Sequence, residues 1–93
     1  SPISVTGDLG AAVGLVTFVW QVAERATDYE LEVTNLDTGE VYTEIVSSTT
    51  KQILLTAKPN PQYMTYTWRV RARAGAVGTW SDKATFRLTY TPL

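Results

Sequence analysis

Nine residues, Tyr66–Ala74, constrain the fold of this chain more than any others. Read in steps of two, Tyr66, Trp68, Val70, Ala72 and Ala74 fall on one side. Thr67, Arg69, Arg71 and Arg73 fall on the other. A helix would spread the three arginines around its girdle. A strand lines them up on one wet face and buries the aromatic row opposite. The stretch is therefore read as the central strand of a sheet, with Trp68 in the core.

The same period recurs along the chain. Ile3 and Val5 mark a short first strand, with Pro2 at its edge-compatible start. Gly7–Gly10 reads as a turn. Leu15–Val22 carries a heavy row of Val16, Phe18, Trp20 and Val22. Tyr29, Leu31 and Val33 alternate with Glu30, Glu32 and Thr34. Asn35–Gly39 is a hairpin turn with glycine where a positive φ is needed. Val41–Val46 returns, and a further strand surrounds Ile53–Leu55. Lys58–Pro61 holds two prolines and is expected to be an unpaired loop. After Tyr66–Ala74 come a turn at Gly75–Gly78 and a last strand with Ala84, Phe86, Leu88 and Tyr90 inward. Seven short strands at intervals of roughly 8–12 residues, with no helical period, predict an all-β, two-layer antiparallel sandwich. The first, second and fifth strands should form one sheet and the third, fourth, sixth and seventh the other. The expected core is Val16, Phe18, Trp20, Tyr29, Leu31, Val33, Trp68, Val70, Ala72, Phe86 and Leu88.

Composition removes several function classes. The 93 residues make one domain, residues 1–93, and carry a net charge of −1. A nucleic-acid partner would want a basic excess, so none is expected. The chain has neither histidine nor cysteine. It therefore lacks the commonest general base, the commonest metal ligand and any thiol nucleophile. No enzyme activity, cofactor or metal is expected. No apolar run is long enough to cross a bilayer as a helix, so no membrane insertion is expected. Ser1-Pro2 opens directly into structure, which suggests a domain cut from a larger protein.

Four sequence marks occur together and in order. Trp20 sits in Val-Thr-Phe-Val-Trp-Gln, Tyr29 in Asp-Tyr-Glu-Leu-Glu-Val, Tyr66 opens Tyr-Thr-Trp-Arg-Val-Arg-Ala, and Trp80 lies in Gly-Thr-Trp-Ser. With these marks the chain resembles a fibronectin type III domain, an immunoglobulin-like β-sandwich, over nearly its whole length. The resemblance implies structural roles for Trp20, Tyr29, Tyr66 and Trp68. It implies a tyrosine corner in which the Tyr66 hydroxyl bonds to preceding backbone. It also implies a non-catalytic module that spaces or presents neighbouring domains in an extracellular or cell-surface protein. The chain departs from the family pattern at Asn60, where a leucine is usual, and in the long loop from Ala57 to Thr65. It has no Arg-Gly-Asp.

The alternative is a ligand-binding module for polysaccharide or protein, with Trp80, Arg71 and Arg73 as contacts and the loops Asp8–Gly14, Ala23–Asp28 and Gly75–Thr79 around them. Against it stand two structural expectations. Glu30 and Glu32 should balance the arginine row across a strand pair, and Trp80 should lie over Arg71 or Arg73. The acidic residues Asp8, Asp28, Asp37 and Asp82 lack the close alternating spacing of a calcium loop. A lysine–asparagine amide between Lys51, Lys58 or Lys83 and Asn35 or Asn60 is chemically conceivable, but the sequence does not bury these groups together. A monomer is expected, because the third and sixth strands turn a charged face outward.

Overall fold

A computed structural model describes residues 3–6, 13–78 and 80–90. The described chain is all-β. It forms nine strands, seven of them four residues or longer, in two sheets. β1 (Ile3–Thr6), β2 (Val13–Val19) and β5 (Thr50–Thr56) make the smaller sheet, with β2 in the middle. The larger sheet runs β4 (Val41–Val46), β3 (Asp28–Asn35), β7 (Met64–Ala74), β9 (Ala84–Tyr90) and β6 (Lys58–Pro59), while β8 (Ala76–Val77) folds back on β7. The division of the long strands between the sheets is the expected one. Tyr66–Ala74 lies within β7, the longest strand, paired with β3 on one side and β9 on the other.

The sheets meet through a continuous row of rings. Tyr66 stacks on Phe86 at 5.3 Å, and Phe86 meets Phe18 edge-on at 5.7 Å. Phe18 meets Trp68 at 5.2 Å, Trp68 lies 6.4 Å from Trp20, and Trp20 meets Tyr29 at 5.9 Å. Offset and edge-on pairs of this kind add to the burial of each ring. Val16, Leu31, Val33 and Leu88 fill the space around them. Of the expected core, Val70, Ala72 and Phe86 are only partly buried, at its margin. Val46, Ile53, Leu55, Ala57, Met64 and Tyr66 complete it.

Both boundaries of the second strand differ from expectation. β2 starts at Val13 and stops at Val19, so Trp20 lies just past the strand, held by its N–H to the Thr49 carbonyl at 3.0 Å. Gln21 and Val22 are exposed, and Val22 does not join the inward row. The expectations at Pro2, Gly7–Gly10 and Thr79 lie outside the described residues.

The purely antiparallel reading also needs correction. β6, expected to be loop, pairs parallel with Thr89–Tyr90. Pro59 has no N–H to give, but β6 is the sheet's last strand and the donors come from either side. Asn60 N donates to the Tyr90 carbonyl at 2.7 Å, and the Thr89 hydroxyl donates to the Lys58 carbonyl at 2.9 Å. Proline is tolerated at such an edge.

The register fixes where the ends of the fold lie. Ile3 pairs with Phe18, near Trp20, Tyr29 and the start of β9. Tyr90 lies at the other pole, beside Pro59 and beyond Met64, where Tyr66 reaches Thr56.

Candidate functional site

Among the described residues, the outer face of the larger sheet gathers a dense set of functional groups. Register sets Asp28 opposite Arg73, Glu30 opposite Arg71 and Glu32 opposite Arg69. Each pair closes. Arg69 Nε donates to Glu32 Oε1 at 2.8 Å and Nη2 to Oε2 at 3.3 Å, a two-pronged contact. Arg71 Nε donates to Glu30 Oε1 at 2.7 Å. Arg73 Nε stands 3.3 Å from Asp28 Oδ1, close enough for ionic attraction but without hydrogen-bond alignment. Pairs directly across two strands contribute about 0.2–1 kcal/mol each. Glu30 and Glu32 were legible as partners of the arginine row. Asp28 was not, because its position before the alternating run reads as a loop acid.

Trp80 is laid onto this face by backbone contacts. β9 pairs with β7 only as far as Trp68. Beyond it the incoming segment takes over the edge. Gly78 N donates to the Ala72 carbonyl at 2.9 Å and Ser81 N to the Val70 carbonyl at 2.8 Å, while the Ser81 hydroxyl accepts from Val70 N at 3.0 Å. Trp80 therefore sits between two fixed points. Gly78 has no room for a side chain: a Cβ there would stand 2.9 Å from the Ala72 oxygen. The guanidinium carbons of Arg69 and Arg71 lie 4.3 and 4.1 Å from the Trp80 ring centroid. The row of opposite charges and the indole form one ladder, Glu32–Arg69–Trp80–Arg71–Glu30.

This arrangement revises the expected site. Trp80 is half-buried and lies over Arg71, as the structural expectation had it. Its partners are Arg69 and Arg71. Arg73 takes no part in the stack; it is one strand step further on and belongs to Asp28. Of the proposed contact set Trp80, Arg71 and Arg73, the structure brings together only the first two. Arg69, not named for that role, completes the stack. The missing signal is non-local: the two backbone contacts at Gly78 and Ser81 decide which arginines flank the ring.

The residues given structural roles all lie in the core. Trp20, Tyr29, Tyr66 and Trp68 are each less than a tenth exposed. The Tyr29 hydroxyl accepts from Ala23 N at 2.9 Å and pins the connection before β3. The Tyr66 hydroxyl donates to the Thr56 carbonyl at 2.9 Å, the upstream backbone bond expected of a tyrosine at this position. Burial pushes its phenol pKa up, which keeps it protonated as a donor.

The other polar candidates are dispersed. Asn35 is buried, and its Oδ1 accepts from Asp37 N and Thr38 N in the hairpin turn, where Gly39 takes φ +80°. Asp37 Oδ2 accepts from Thr65 N. Lys51 pairs with Glu44 at 2.8 Å across the gap between β5 and β4. Tyr42 donates to the same carboxylate. Glu44 raises the Tyr42 phenol to about 12 through that bond, aided by burial. The Lys51 ammonium, and after it Tyr42, hold the Glu44 carboxyl below its usual range. Among the described residues, no three acidic side chains gather as a cation site would require. Asp8 lies outside them.

Fold and site together define a small two-sheet all-β domain with a charge-and-indole ladder on one outer face. No protein-family model matches the chain, and no curated protein matches it.

Proposed function

We propose that the chain is a non-catalytic β-sandwich module of the fibronectin type III kind, which spaces or presents neighbouring domains in a larger extracellular or cell-surface protein. One observation carries the reading. The first strand begins at one pole of the fold and the last strand ends at the other. Domains built this way can be strung in series without opening each other's cores.

The ladder supports it too. Trp80 and Arg71 are the groups best suited to hold a saccharide or a partner side chain. Both are already engaged, the indole by two guanidinium groups and Arg71 by Glu30. Freeing them would forfeit the stack and unpair a charge. The kind of module and the location outside the cell rest on the sequence resemblance. The bond from Tyr66 to Thr56 is the structural feature that agrees with it most closely.

The test is tryptophan fluorescence of the wild-type chain and Trp80→Phe, each titrated with soluble cello-, xylo- and chito-oligosaccharides. Trp20 and Trp68 are buried and should stay silent to a ligand on the outer face. A spacer gives no emission change in either protein. A saturable shift in wild type that disappears in Trp80→Phe would replace this reading with a saccharide-binding module centred on the ladder.

A further inference from the structure

β4 is the last strand of the larger sheet on the side away from β9. Among the described residues, no strand pairs with its outer edge. Only Val46, at its end, is buried, while Val41, Tyr42 and Ile45 are large side chains left exposed. Valine, tyrosine, threonine and isoleucine all suit a strand, and an open edge of such residues is a template for another strand.

The phase of that edge is fixed. Asn35 N donates to the Glu40 carbonyl at 2.9 Å, and the pairing of β3 with β4 continues from there without a break. In an antiparallel ladder, residues that bond to one neighbour alternate with residues whose N–H and C=O point the other way. Tyr42, Glu44 and Val46 therefore bond to β3. Val41, Thr43 and Ile45 present their backbone groups to the free edge. Their side chains share the outer face with Thr34, Glu32 and Glu30, their partners on β3.

A second copy of the strand fits this edge best in one register. A twofold axis through Thr43 sets Thr43 against Thr43 and Val41 against Ile45 of the other copy. Every edge-facing residue of β4 then meets another, and apolar side chains meet across the junction on the outer face. On the inner face Glu44 falls opposite Tyr42, a phenol. Sliding the copy by two residues sets Glu44 against Glu44 in one direction and Glu40 against Glu44 in the other. Like charges directly opposite destabilise a pair. Sliding by one residue turns edge-facing groups onto groups already bonded to β3. An inward-phase charge can guard an edge, but Glu44 is not a lone charge. Lys51 pairs with it at 2.8 Å, and Tyr42 donates to it.

We propose that β4 is a self-association edge: two copies of this chain pair antiparallel through Val41, Thr43 and Ile45 and join their larger sheets into one. This goes beyond the spacer reading and does not rest on it. The charged face of β3 and β7 disfavours packing face to face, but it leaves the edge beside it open. The twofold axis lays the copies side by side with opposite poles together. It therefore links separate chains rather than copies strung in series. One strand pair buries little surface, so the association is weak.

Sedimentation equilibrium of the wild-type chain, up to roughly millimolar concentration, should show a monomer in exchange with a dimer and no larger species. Over the same range, amide exchange followed by NMR should slow at Val41, Thr43 and Ile45. Thr43→Pro removes an edge donor without removing a bond to β3, and should weaken association about tenfold or more. A second pair of variants keeps the test independent of any loss of stability in the first. V41K/I45K and V41E/I45E change exposed side chains. Each should stay monomeric alone, and the two should associate when mixed, because the register sets position 41 of one copy against position 45 of the other. A monomer at every concentration would overturn the proposal, as would growth beyond a dimer. Undiminished dimerisation of V41K/I45K would place the contact elsewhere and overturn it too. Failure of the two charged variants to associate when mixed would overturn the register, and with it the self-pairing edge.

Discussion

Tyr66 and Tyr42 put the same phenol group to two uses. Tyr66 is buried, and its hydroxyl ties β7 to the carbonyl that ends β5. Removing the hydroxyl takes that donor from the Thr56 carbonyl and changes little else in the ring's packing. Tyr66→Phe should therefore lower stability by about 1 kcal/mol, read as a drop in urea midpoint at unchanged slope. An unmoved midpoint would mean that solvent serves the carbonyl equally well. Tyr42 stands at an edge, and its bond to Glu44 raises its pKa to about 12 from 10.0. The folded chain thus keeps a proton that the unfolded chain gives up. The stabilisation is whole below pH 10 and is lost as pH rises toward 12. Wild type should lose stability more steeply than Tyr42→Phe across that window. Parallel loss in the two proteins would show that the bond does not persist in solution. Glu44 works in the opposite sense. Its lowered pKa favours folding above the usual carboxylate range, and that share is lost on acidification.

At the scale of elements, β7 and its neighbours show what alternation reveals and what it hides. The inward and outward rows of β3 and β7 were legible because polar and apolar residues strictly alternate there. The phase of β5 was not, because Ile53-Leu54-Leu55 is apolar throughout. Only pairing to β2 turns Ile53 and Leu55 in and leaves Leu54 largely exposed. β4 hides its phase in the same way: Val41 and Ile45 are exposed while Val46 is buried. Ala57 lies past the apolar Ile53–Leu55 stretch, so its burial had no clear local signal, whereas Met64 is in phase with Tyr66 and Trp68 and its burial was legible by extending that alternation two residues. The ladder was half legible. Cross-strand charge pairing follows from sequence once β3 and β7 are neighbours. The seat of Trp80 follows only from the edge contacts of Gly78 and Ser81. Trp80→Ala should expose Arg69 and Arg71 on one side and cost about 1–2 kcal/mol, with both salt bridges left in place. A double-mutant cycle of Trp80→Ala with Arg71→Ala should give a positive coupling energy. Strict additivity would show that the ring and guanidinium do not interact.

At the scale of the whole molecule, shape and polarity of the ends converge. The fold extends 48 × 24 × 17 Å. The aromatic row runs from Tyr29, close to where β1 enters, to Tyr66, close to where β9 leaves. The rings thus tie the two poles together through the core. A module with this form transmits position without needing a partner on its faces. Two copies joined end to end should then behave as two copies. Each should unfold at the urea midpoint of the single chain and with its slope, since neither core borrows from the other. The maximum dimension from solution scattering should be roughly twice that of the single chain, as expected for linked domains that keep their own cores. A pair that is compact, or that unfolds at a higher midpoint than one copy, would mean that the faces bind each other and that the spacer reading fails.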